Sequence, residues 1–507
     1  MSCLPEGILF STQAQIDSFQ INYPGCTEIE GNVSINGSGI TNLYGLDTLV
    51  SIHGRLWISG TSLNNLNGLE NINYIGDTIR ITYNTALTSL EGLSGLDTVQ
   101  KGLYIYFNYA LTTLTGLHNI TTVGEDLNIY KNTSLTDLTG LENVTTVGDE
   151  FGVWKNDSLT SLEGLDNITS AGSITILENA SLTSLAVLEN INSLEGYLII
   201  VNNDALTSLT GLENMTSVGS NFSIANNDAI TSLMPLSNLT YIGGSLKIER
   251  IPLLTDLTGL NNVTSIGALD ILLNNSLTSL EALDGVTYIG GSLGIWGNPS
   301  LTSLAGLNQV DSIGQTLDIM NNDALTTLAA LNNVKSIGEY LSITNNDVLV
   351  SLEGLDNIDA SSLYFVTISG NHSLSTCHVQ PICDYLVAPG GYPQIFDNAD
   401  GCQSQEEVLD ACSLNIDEIR GDKSKISIYP NPCANFTTIE YELEQEAFVT
   451  LTIFNSLGEK IVRLVSSPQL SGKHQVTLNS RGIPPGIYFY RLTAGHLSTT
   501  GKLVVVR

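Results

Sequence analysis

Apolar and polar positions recur along most of this chain with a period of about 24 residues. The segment ALTSLEGL at residues 86–93 returns many times, and each copy is followed by alternation typical of a β-strand, as at residues 103–105. The leading apolar residue of each copy is Ile40, Leu63, Leu87, Leu111, Leu135, Leu159, Leu182, Leu206, Ile230, Leu254, Leu277, Leu301, Leu325, Leu349 or Leu374. One unit cannot bury its apolar face alone, whereas stacked units can. The pattern therefore predicts an all-β parallel solenoid in which like strands of successive coils pair.

A tight turn is predicted at the Ile-Gly pair of each unit, as at residues 242–244. The steps that end at Leu182 and Leu277 are one residue shorter than the usual 24, and the missing residue falls between this glycine and the next strand. A corner tolerates such a deletion better than a strand does, so the alignment places a bend here.

An asparagine stands three residues before the leading apolar position in most units. The column comprises Asn84, Asn108, Asn132, Asn156, Asn179, Asn203, Asn227, Asn274, Asn298, Asn322, Asn346 and Asn371. An inward asparagine at a turn can bond to the backbone of adjacent coils, so the column predicts a structural ladder. A row of calcium sites is the alternative, because an aspartate follows the asparagine in four units. Most units lack this aspartate, which favours the ladder, and no other cofactor is predicted.

Strand alternation also predicts which side chains point away from the interior. Two outward columns hold all three tryptophans, and the candidate contact residues there are Trp57, Tyr104, Tyr106, Tyr130, Trp154, Trp296 and Met320. An aromatic stripe on a rigid sheet suits stacking on sugar rings or anchoring a protein partner. Two alternatives stay open: the rings stabilise the sheet by packing on one another, or another domain covers them.

The charge and hydrophobicity of the chain disfavour some partners and locations. Its 507 residues include 18 Lys and Arg against 51 Asp and Glu, a formal net charge of −33. Nucleic acid is disfavoured as a partner because its binding needs a cationic surface. No run of 18 apolar residues is present, so no transmembrane segment is predicted. The first six residues lack the basic and apolar regions of a signal peptide, so the protein is either cytosolic or has lost its signal peptide.

The cysteines lie only outside the repeats. Cys3 and Cys26 flank the N-terminal segment, and a second group follows the repeats at Cys377, Cys383, Cys402 and Cys412. This placement favours disulfide-stapled caps, an oxidising compartment and a removed signal peptide. A metal site formed by the second group with His378 is the alternative, although the group contains no C-x-x-C pair. Cys433 is left over.

The composition changes towards the C-terminus, after the polar residues 413–425, which are typical of a linker. Short alternating segments follow at residues 437–443, 448–454, 459–465, 474–478, 487–493 and 501–506. About seven short strands separated by turn residues predict an Ig-like β-sandwich.

Two segments near the start of the repeats resemble the receptor L-domain pattern. They are CTEIEGNVSI at residues 26–35 and IHGRLWI at residues 52–58, and the resemblance extends over roughly residues 26–375. It implies a right-handed, leucine-rich-repeat-like β-solenoid. The array is longer than one L domain, so the family's ligand sites are not carried over.

The C-terminal module resembles the sorting domain of type IX secretion systems. The matching segments are YPNP at residues 429–432, NSLG at 455–458, PGIY at 485–488 and GKLVVV at 501–506, with Pro430, Asn431, Pro432, Gly458, Pro485 and Gly486 as the motif residues. The resemblance implies contact with the secretion machinery, passage through the outer membrane of a Gram-negative cell, and processing by a sortase-like protease. The protein is then expected to be secreted or attached to the outer cell surface.

These observations divide the chain into an N-terminal cap (1–32), a solenoid (33–375), a cysteine-rich cap (376–412), a linker (413–425) and a sorting domain (426–507). No catalytic motif is found, so the chain is not expected to be an enzyme. The expected function is binding of an extracellular protein or glycan. The alternatives are a structural surface-layer or spacer protein and, more remotely, a polysaccharide-active enzyme with carboxylates from neighbouring coils.

Overall fold

The computed structural model describes residues 1–414, 426–443, 446–456, 458–494 and 497–506. It forms two compact units, Met1–Ser413 and Leu414–Arg507, and each has its own hydrophobic core. Most of the predicted linker, at residues 415–425, lies outside the described residues.

The first unit is a parallel β-solenoid of about 16 turns, which confirms the predicted fold. Strands one coil apart pair in register, so Leu103 lies beside Leu127 and Tyr106 beside Tyr130. These paired strands form a long parallel sheet along the solenoid, and we call them the face strands. They are Ile8–Phe10, Val33–Asn36, Leu56–Ser59, Ile79–Thr82, Leu103–Tyr106, Leu127–Tyr130, Thr146–Trp154, Ser170–Leu177, Leu198–Val201, Phe222–Ala225, Tyr241–Glu249, Ser265–Leu272, Leu293–Trp296, Leu317–Met320, Tyr340–Thr344, Phe365–Ser369 and Tyr392–Phe396. A column of the repeat is thus a stripe in space.

A two-residue strand precedes the face strand in many coils, with a bend between the two. These short strands are Ser2–Cys3, Glu28–Ile29, Ser51–Ile52, Tyr74–Ile75, Thr98–Val99, Thr122–Val123, Ser193–Leu194, Ser217–Val218, Tyr288–Ile289, Ser312–Ile313 and Ser336–Ile337. In other coils one strand runs through the bend, and the register with its neighbour changes there, between Val147 and Glu150 and between Ile242 and Ser245. The coils that end at Leu182 and Leu277 therefore lose their residue at the predicted corner.

Leucines fill the rest of each coil. Leu87, Leu90 and Leu93 are fully buried, and burial of one such side chain contributes about 1.5–3 kcal/mol. The glycine of the repeat is required by a close approach between coils: Gly92 has φ 112°, and a Cβ there would lie 2.0 Å from the carbonyl oxygen of Leu66. Other coils form short 3-10 turns instead. The 3-10 turns are Tyr44–Leu46, Ala186–Asn190, Met234–Leu236, Glu281–Leu283, Ala329–Leu331 and Ala360–Ser362.

The asparagine column forms a ladder inside the solenoid, and every predicted member is fully buried. In a representative rung, Oδ1 of Asn132 accepts the backbone N–H of Asn108 at 3.0 Å, and its Nδ2 donates to the carbonyl of Ile105 at 2.8 Å. Each amide thereby satisfies buried backbone groups of the preceding coil, which would otherwise destabilise the fold. The ladder is thus part of the structural core.

The ladder is longer than the predicted column, and it has one gap. Thr61 forms an N-terminal rung, because its backbone N–H and Oγ1 both donate to Oδ1 of Asn84, at 3.1 and 2.7 Å. Asn398 adds a rung at the other end. Ile251 interrupts the column, although its own N–H still donates to the next asparagine along the chain.

The geometry of the ladder does not build the alternative calcium row. Asn203 is buried and its Oδ1 accepts the N–H of Asn179, whereas the neighbouring Asp204 is exposed. The amide oxygen of Asn203 is therefore used by the backbone inside the solenoid, while the carboxylate of Asp204 is exposed to solvent. Among the described residues, no group of three or more His, Cys, Asp and Glu side chains is placed to hold a metal.

Disulfides staple both ends of the solenoid. The pairs are Cys3–Cys26, Cys377–Cys402 and Cys383–Cys412. All four C-terminal cap cysteines are paired, so none remains as a thiolate for the alternative metal site. Cys433 is buried in the second unit and forms no disulfide.

The end segments contain helices as well as strands, so the fold is mostly rather than entirely β. The helices are Gln13–Asp17, Phe19–Asn22, Gln380–Val387 and Gln405–Leu414. Each segment also adds a coil, because Ile8–Phe10 pairs with Val33–Asn36 and Tyr392–Phe396 pairs with Phe365–Ser369. The stack therefore begins before residue 33 and continues beyond residue 375.

The second unit consists of two antiparallel sheets around a small core, consistent with the predicted β-sandwich. One sheet contains Ile426–Tyr429, Phe436–Leu443 and Gly472–Asn479. The other contains Lys460–Gln469, Ala447–Asn455, Gly486–Ala494 and Leu497–Val505. Tyr441, Leu451 and Leu503 are among the buried core residues.

Candidate functional site on the solenoid face

Five rings from consecutive coils contact one another on the outer surface of the face strands. We call Tyr104, Tyr106, Phe107, Tyr130 and Trp154 the aromatic cluster. Their centroids are 5.7 Å apart for Tyr106–Tyr130, 6.3 Å for Tyr130–Trp154 and 4.9 Å for Phe107–Tyr130, all edge to face. Such pairs contribute about 0.5–1.5 kcal/mol each beyond area burial. All five side chains are half-buried, so they stabilise the sheet and still present aromatic surface to solvent.

The alternation rule did not identify Phe107, because this residue lies in the turn just after its face strand. Tyr83, in the equivalent position of the preceding coil, stacks on Phe107 with centroids 4.5 Å apart. Both residues have positive φ, 58°, as do most residues immediately before a ladder asparagine. The sequence does mark this position, because it comes immediately before a ladder asparagine. A side chain there points outward beside the strand.

Cationic side chains border the cluster. The guanidinium of Arg80 lies 5.0 Å from the ring centroid of Tyr104, and Nζ of Lys131 lies 5.7 Å from that of Phe107. Lys155, next to Trp154, forms an exposed ion pair with Glu178 at 3.3 Å. The cluster is therefore bordered by cationic groups on an acidic protein.

Glycine lets the indole of Trp154 lie across the sheet. Gly152 stands two residues earlier on the same side of the strand, and a Cβ there would lie 2.6 Å from Cζ2 of Trp154 and 2.3 Å from Oδ1 of Asn128. Only hydrogen fits in this space. The Oδ1 atom of Asn128 is buried and has no hydrogen-bond partner within the described part of the chain.

Two carboxylates lie next to the cluster on adjacent coils. The hydroxyl of Tyr104 donates to Oδ2 of Asp126 at 2.7 Å, and the hydroxyl of Thr175 donates to Oε1 of Glu150 at 2.6 Å. Burial, the hydrogen bond to Asp126 and that carboxylate's charge raise the pKa of Tyr104. Burial is the main reason that the pKa of Tyr106 rises to about 12. Tyr104 and Tyr106 therefore keep their protons well above physiological pH.

The structure does not bring the remaining candidates into the cluster. Trp57 lies two coils before Tyr104, where its Nε1 donates to Oγ1 of Thr82 at 3.1 Å. Trp296 and Met320 are neighbours on a separate part of the face, six and seven coils beyond Trp154. The sequence columns thus predicted the side on which these residues lie but not their grouping.

The motif residues of the second unit hold its first segment against its last strand. Nδ2 of Asn431 donates to the carbonyl of Lys502 at 2.9 Å, and its Oδ1 accepts the N–H of Val504 at 2.8 Å. The flanking residues Pro430 and Pro432 both follow cis peptide bonds. At the other motifs, Gly458 adopts φ 79° in a turn, and the hydroxyl of Tyr488, just after Pro485 and Gly486, donates to the carbonyl of Pro484 at 2.8 Å. These residues therefore have structural roles in the β-sandwich.

Family models match three parts of the chain. Residues 427–506 match the secretion system C-terminal sorting domain, residues 25–116 match the receptor L domain, and residues 126–246 match six copies of the BspA type leucine rich repeat region. No curated protein matched the chain. None of the helices in the described residues is long and apolar enough to cross a membrane. The sorting domain marks type IX secretion cargo, found outside the cell or at the surface of Bacteroidetes.

Proposed function

We propose that this leucine-rich-repeat β-solenoid, which its sorting domain assigns to type IX secretion and to the cell exterior or surface, is a recognition protein. It binds an extracellular glycan or protein through the aromatic cluster. The observation that carries the proposal is the concentration of five half-buried rings on three neighbouring coils. The stacking of these coils makes the platform rigid, and rigid aromatic surface lowers the entropy cost of binding.

The chemistry of the cluster fits both ligand classes. Aromatic faces stack on the apolar faces of sugar rings and also anchor protein partners. Arg80 and Lys131 already lie against rings, which leaves their remaining N–H groups as donors to hydroxyl or carbonyl oxygens. This combination supports recognition of a polar ligand with apolar faces.

We also propose that the protein is not an enzyme. Asp126 and Glu150 lie next to the cluster, and each already accepts a hydrogen bond from a protein hydroxyl. A glycosidase pair needs one acid held protonated and a second carboxylate free to act. The engagement of both groups by the protein supports a binding role.

A spacer function is the second candidate, because the cluster rings also pack on one another. Edge-to-face packing across strands stabilises a sheet without any ligand. In that case the solenoid would serve to hold its ends apart at the cell surface.

Binding by the full chain tests the proposal. The chain is applied to an array of extracellular glycans and to purified surface proteins, beside the double variant Tyr130→Ala/Trp154→Ala. The control is Leu272→Ala, which changes the Trp154 column five coils away. We expect the double variant to lose binding and the control to keep it. Equal binding by all three chains would reject the cluster as the contact site, and no binding by any of them would favour the spacer.

Processing of the sorting domain is part of the same proposal. A sortase-like protease would remove the second unit after export and leave the solenoid attached to the surface or released. The mass of the mature protein, isolated from the producing cells, tests this step. A mature chain that still contains residues 426–507 would contradict it.

A further inference from the structure

A groove of about 540 Å³ lies on the same outer surface, near the C-terminal end of the solenoid. The strand of Ser342, in its floor, is eight coils beyond the strand of Trp154. At about 4.8 Å for each strand, this separation is about 40 Å. The groove is therefore distinct from the aromatic cluster.

Aromatic side chains form one wall of the groove. The ring of Tyr340 contacts Tyr364 and Phe365, with centroids 6.2 and 6.0 Å apart, both edge to face. Tyr392 follows on the next strand, where it pairs with Phe365. Tyr364 and Tyr392 are more than 60% exposed, so the wall offers free aromatic surface.

The floor of the groove is polar. Asp318, Ser342 and Thr367 follow one another on successive face strands and point outward. Oδ1 of Asp318 is buried, and within the described residues it has no hydrogen-bond partner. Burial raises the pKa of this carboxyl, while side-chain hydrogen bonds from Ser342 and Trp296 to the carboxyl group lower it. An unsatisfied buried acceptor is unfavourable, and a turn of the Asp318 side chain would bring it to the groove, where a ligand hydroxyl would donate to it.

The composition of the groove selects among ligand classes. None of the nine lining residues is Lys or Arg, and the whole chain carries a net charge of −33, which disfavours acidic polymers. The two floor hydroxyls and the tyrosine hydroxyls both donate and accept hydrogen bonds. An aromatic wall beside such a floor matches a sugar ring, which has apolar C–H faces and an edge of hydroxyls.

We propose that this groove is a second ligand site, which binds one or two residues of a neutral oligosaccharide. The sugar ring stacks on Tyr340 and Tyr364, and one of its hydroxyls donates to the carboxylate of Asp318. The site goes beyond the proposed function and does not depend on the aromatic cluster.

Titration of the full chain with neutral hexasaccharides tests this site. The probes are the gluco-, xylo-, manno- and N-acetylglucosamine hexamers, followed by saturation-transfer NMR. Fluorescence supplies a local readout in the variant Trp57→Phe/Trp154→Phe, since Trp296 is then the remaining tryptophan and lies beside Asp318. We expect at least one probe to change the emission of Trp296 in a saturable way.

Substitutions locate the binding. Tyr340→Ala and Asp318→Ala should each weaken binding of that probe by about tenfold, the value of one stacking or charge-assisted contact. The matched control is Tyr288→Ala, which removes a tyrosine of similar exposure outside the groove. Tyr130→Ala/Trp154→Ala should leave this binding unchanged, so failure of the aromatic cluster and failure of the groove are distinguishable.

Three results would overturn the proposal. The first is that no hexasaccharide binds, and the second is that binding persists in both Tyr340→Ala and Asp318→Ala. The third is that pentalysine, used as a cationic probe, occupies the groove in place of the sugars and is lost in Asp318→Asn. Asp318→Asn retains an acceptor oxygen, so we expect it to bind the sugar better than Asp318→Ala does.

Discussion

Asn156 and Trp154 stand two residues apart on one coil, yet they belong to regions built on different rules. Asn156 is fully buried, and its position is an asparagine in almost every coil. Trp154 points outward, and the same position in the next five coils holds Leu177, Val201, Ala225, Glu249 and Leu272. The fold dictates an asparagine at position 156, because its amide bonds to buried backbone groups of the neighbouring coil.

The second residue is not dictated in this way, since the solenoid forms equally with Leu, Val or Glu there. Aromatic residues concentrated at these freely variable positions are therefore not required by the fold. Regular positions in this solenoid are structural, and outward positions that depart from the repeat are candidates for function. The groove around Asp318 follows the same rule, because its tyrosines recur in only a few coils.

Asn156→Leu should have the largest effect. It removes the acceptor of the Asn132 N–H and the donor to the Ile129 carbonyl, each at 2.9 Å, and leaves both groups buried. We expect the free energy of unfolding in urea to fall by about 3 kcal/mol. The control is Ile251→Val, which alters the rung that lacks an amide and should cost about 1 kcal/mol. Equal losses for the two variants would show that the ladder contributes packing alone.

Gly152→Ser should affect ligand binding more than stability. The added atoms would collide with the indole of Trp154 and force it away from the sheet. We expect a red shift of the tryptophan emission and about tenfold weaker binding of a ligand of the cluster. Gly294→Ala is the matched control, because its Cβ would displace only the end of the Asp270 side chain, at 2.8 Å from Oδ1, and would lie 3.6 Å from Nε1 of Trp296, which is ordinary contact. An unchanged emission spectrum in Gly152→Ser would contradict the flat placement of this indole.

Asp318→Asn should raise thermal stability modestly at neutral pH. The folded-state pKa of Asp318 is raised above 3.8, so its ionised form is less favourable in the fold than in the unfolded chain. The loss of stability caused by ionised Asp318 is fully present above its folded-state pKa and disappears below pH 3.8. We therefore expect the difference in Tm between variant and parent to be positive at pH 7 and to shrink as the pH falls. A difference independent of pH would assign the effect to packing instead.

Thr160→Val should have the smallest effect. A threonine follows the leading apolar residue in most units, so this column recurs about as regularly as the asparagines. Oγ1 of Thr160 donates to the carbonyl of Thr136 at 3.2 Å, but the side chain is exposed, so water replaces the bond. A change of at most about 0.5 kcal/mol in the free energy of unfolding is expected from urea titration. If Thr160→Val lowered the free energy of unfolding as much as Asn156→Leu does, burial would not explain the difference between the threonine and asparagine columns.

The interior could be predicted from the sequence because every coil repeats it. The period located the corners, the strands and the ladder, and alternation placed Trp154 and Tyr130 outside. The sorting domain could be recognised because its motifs occur in order. Disulfide-bonded caps were expected from the cysteines, but the pairing depends on which residues the folded chain brings together.

Features that break the period could not be predicted in the same way. Phe107 was missed because strand alternation ends one residue earlier, in a turn with positive φ. Thr61 replaces an asparagine with a hydroxyl, so a search for one residue type overlooks it. The groove combines Tyr364, in the bend, with Asp318 two coils away, and no single column contains both. The cap helices were missed because they are short and lie outside the repeats.

The most direct test of the account compares Trp154→Ala with Asn156→Leu in the full chain, with urea unfolding and ligand affinity measured for both. The ligand is the glycan or protein that the parent chain selects. We expect Trp154→Ala to lose affinity by about tenfold and stability by only about 1 kcal/mol, whereas Asn156→Leu loses about 3 kcal/mol of stability and keeps its affinity while folded. This expectation would be contradicted if Trp154→Ala unfolded as readily as Asn156→Leu and bound the ligand as tightly as the parent.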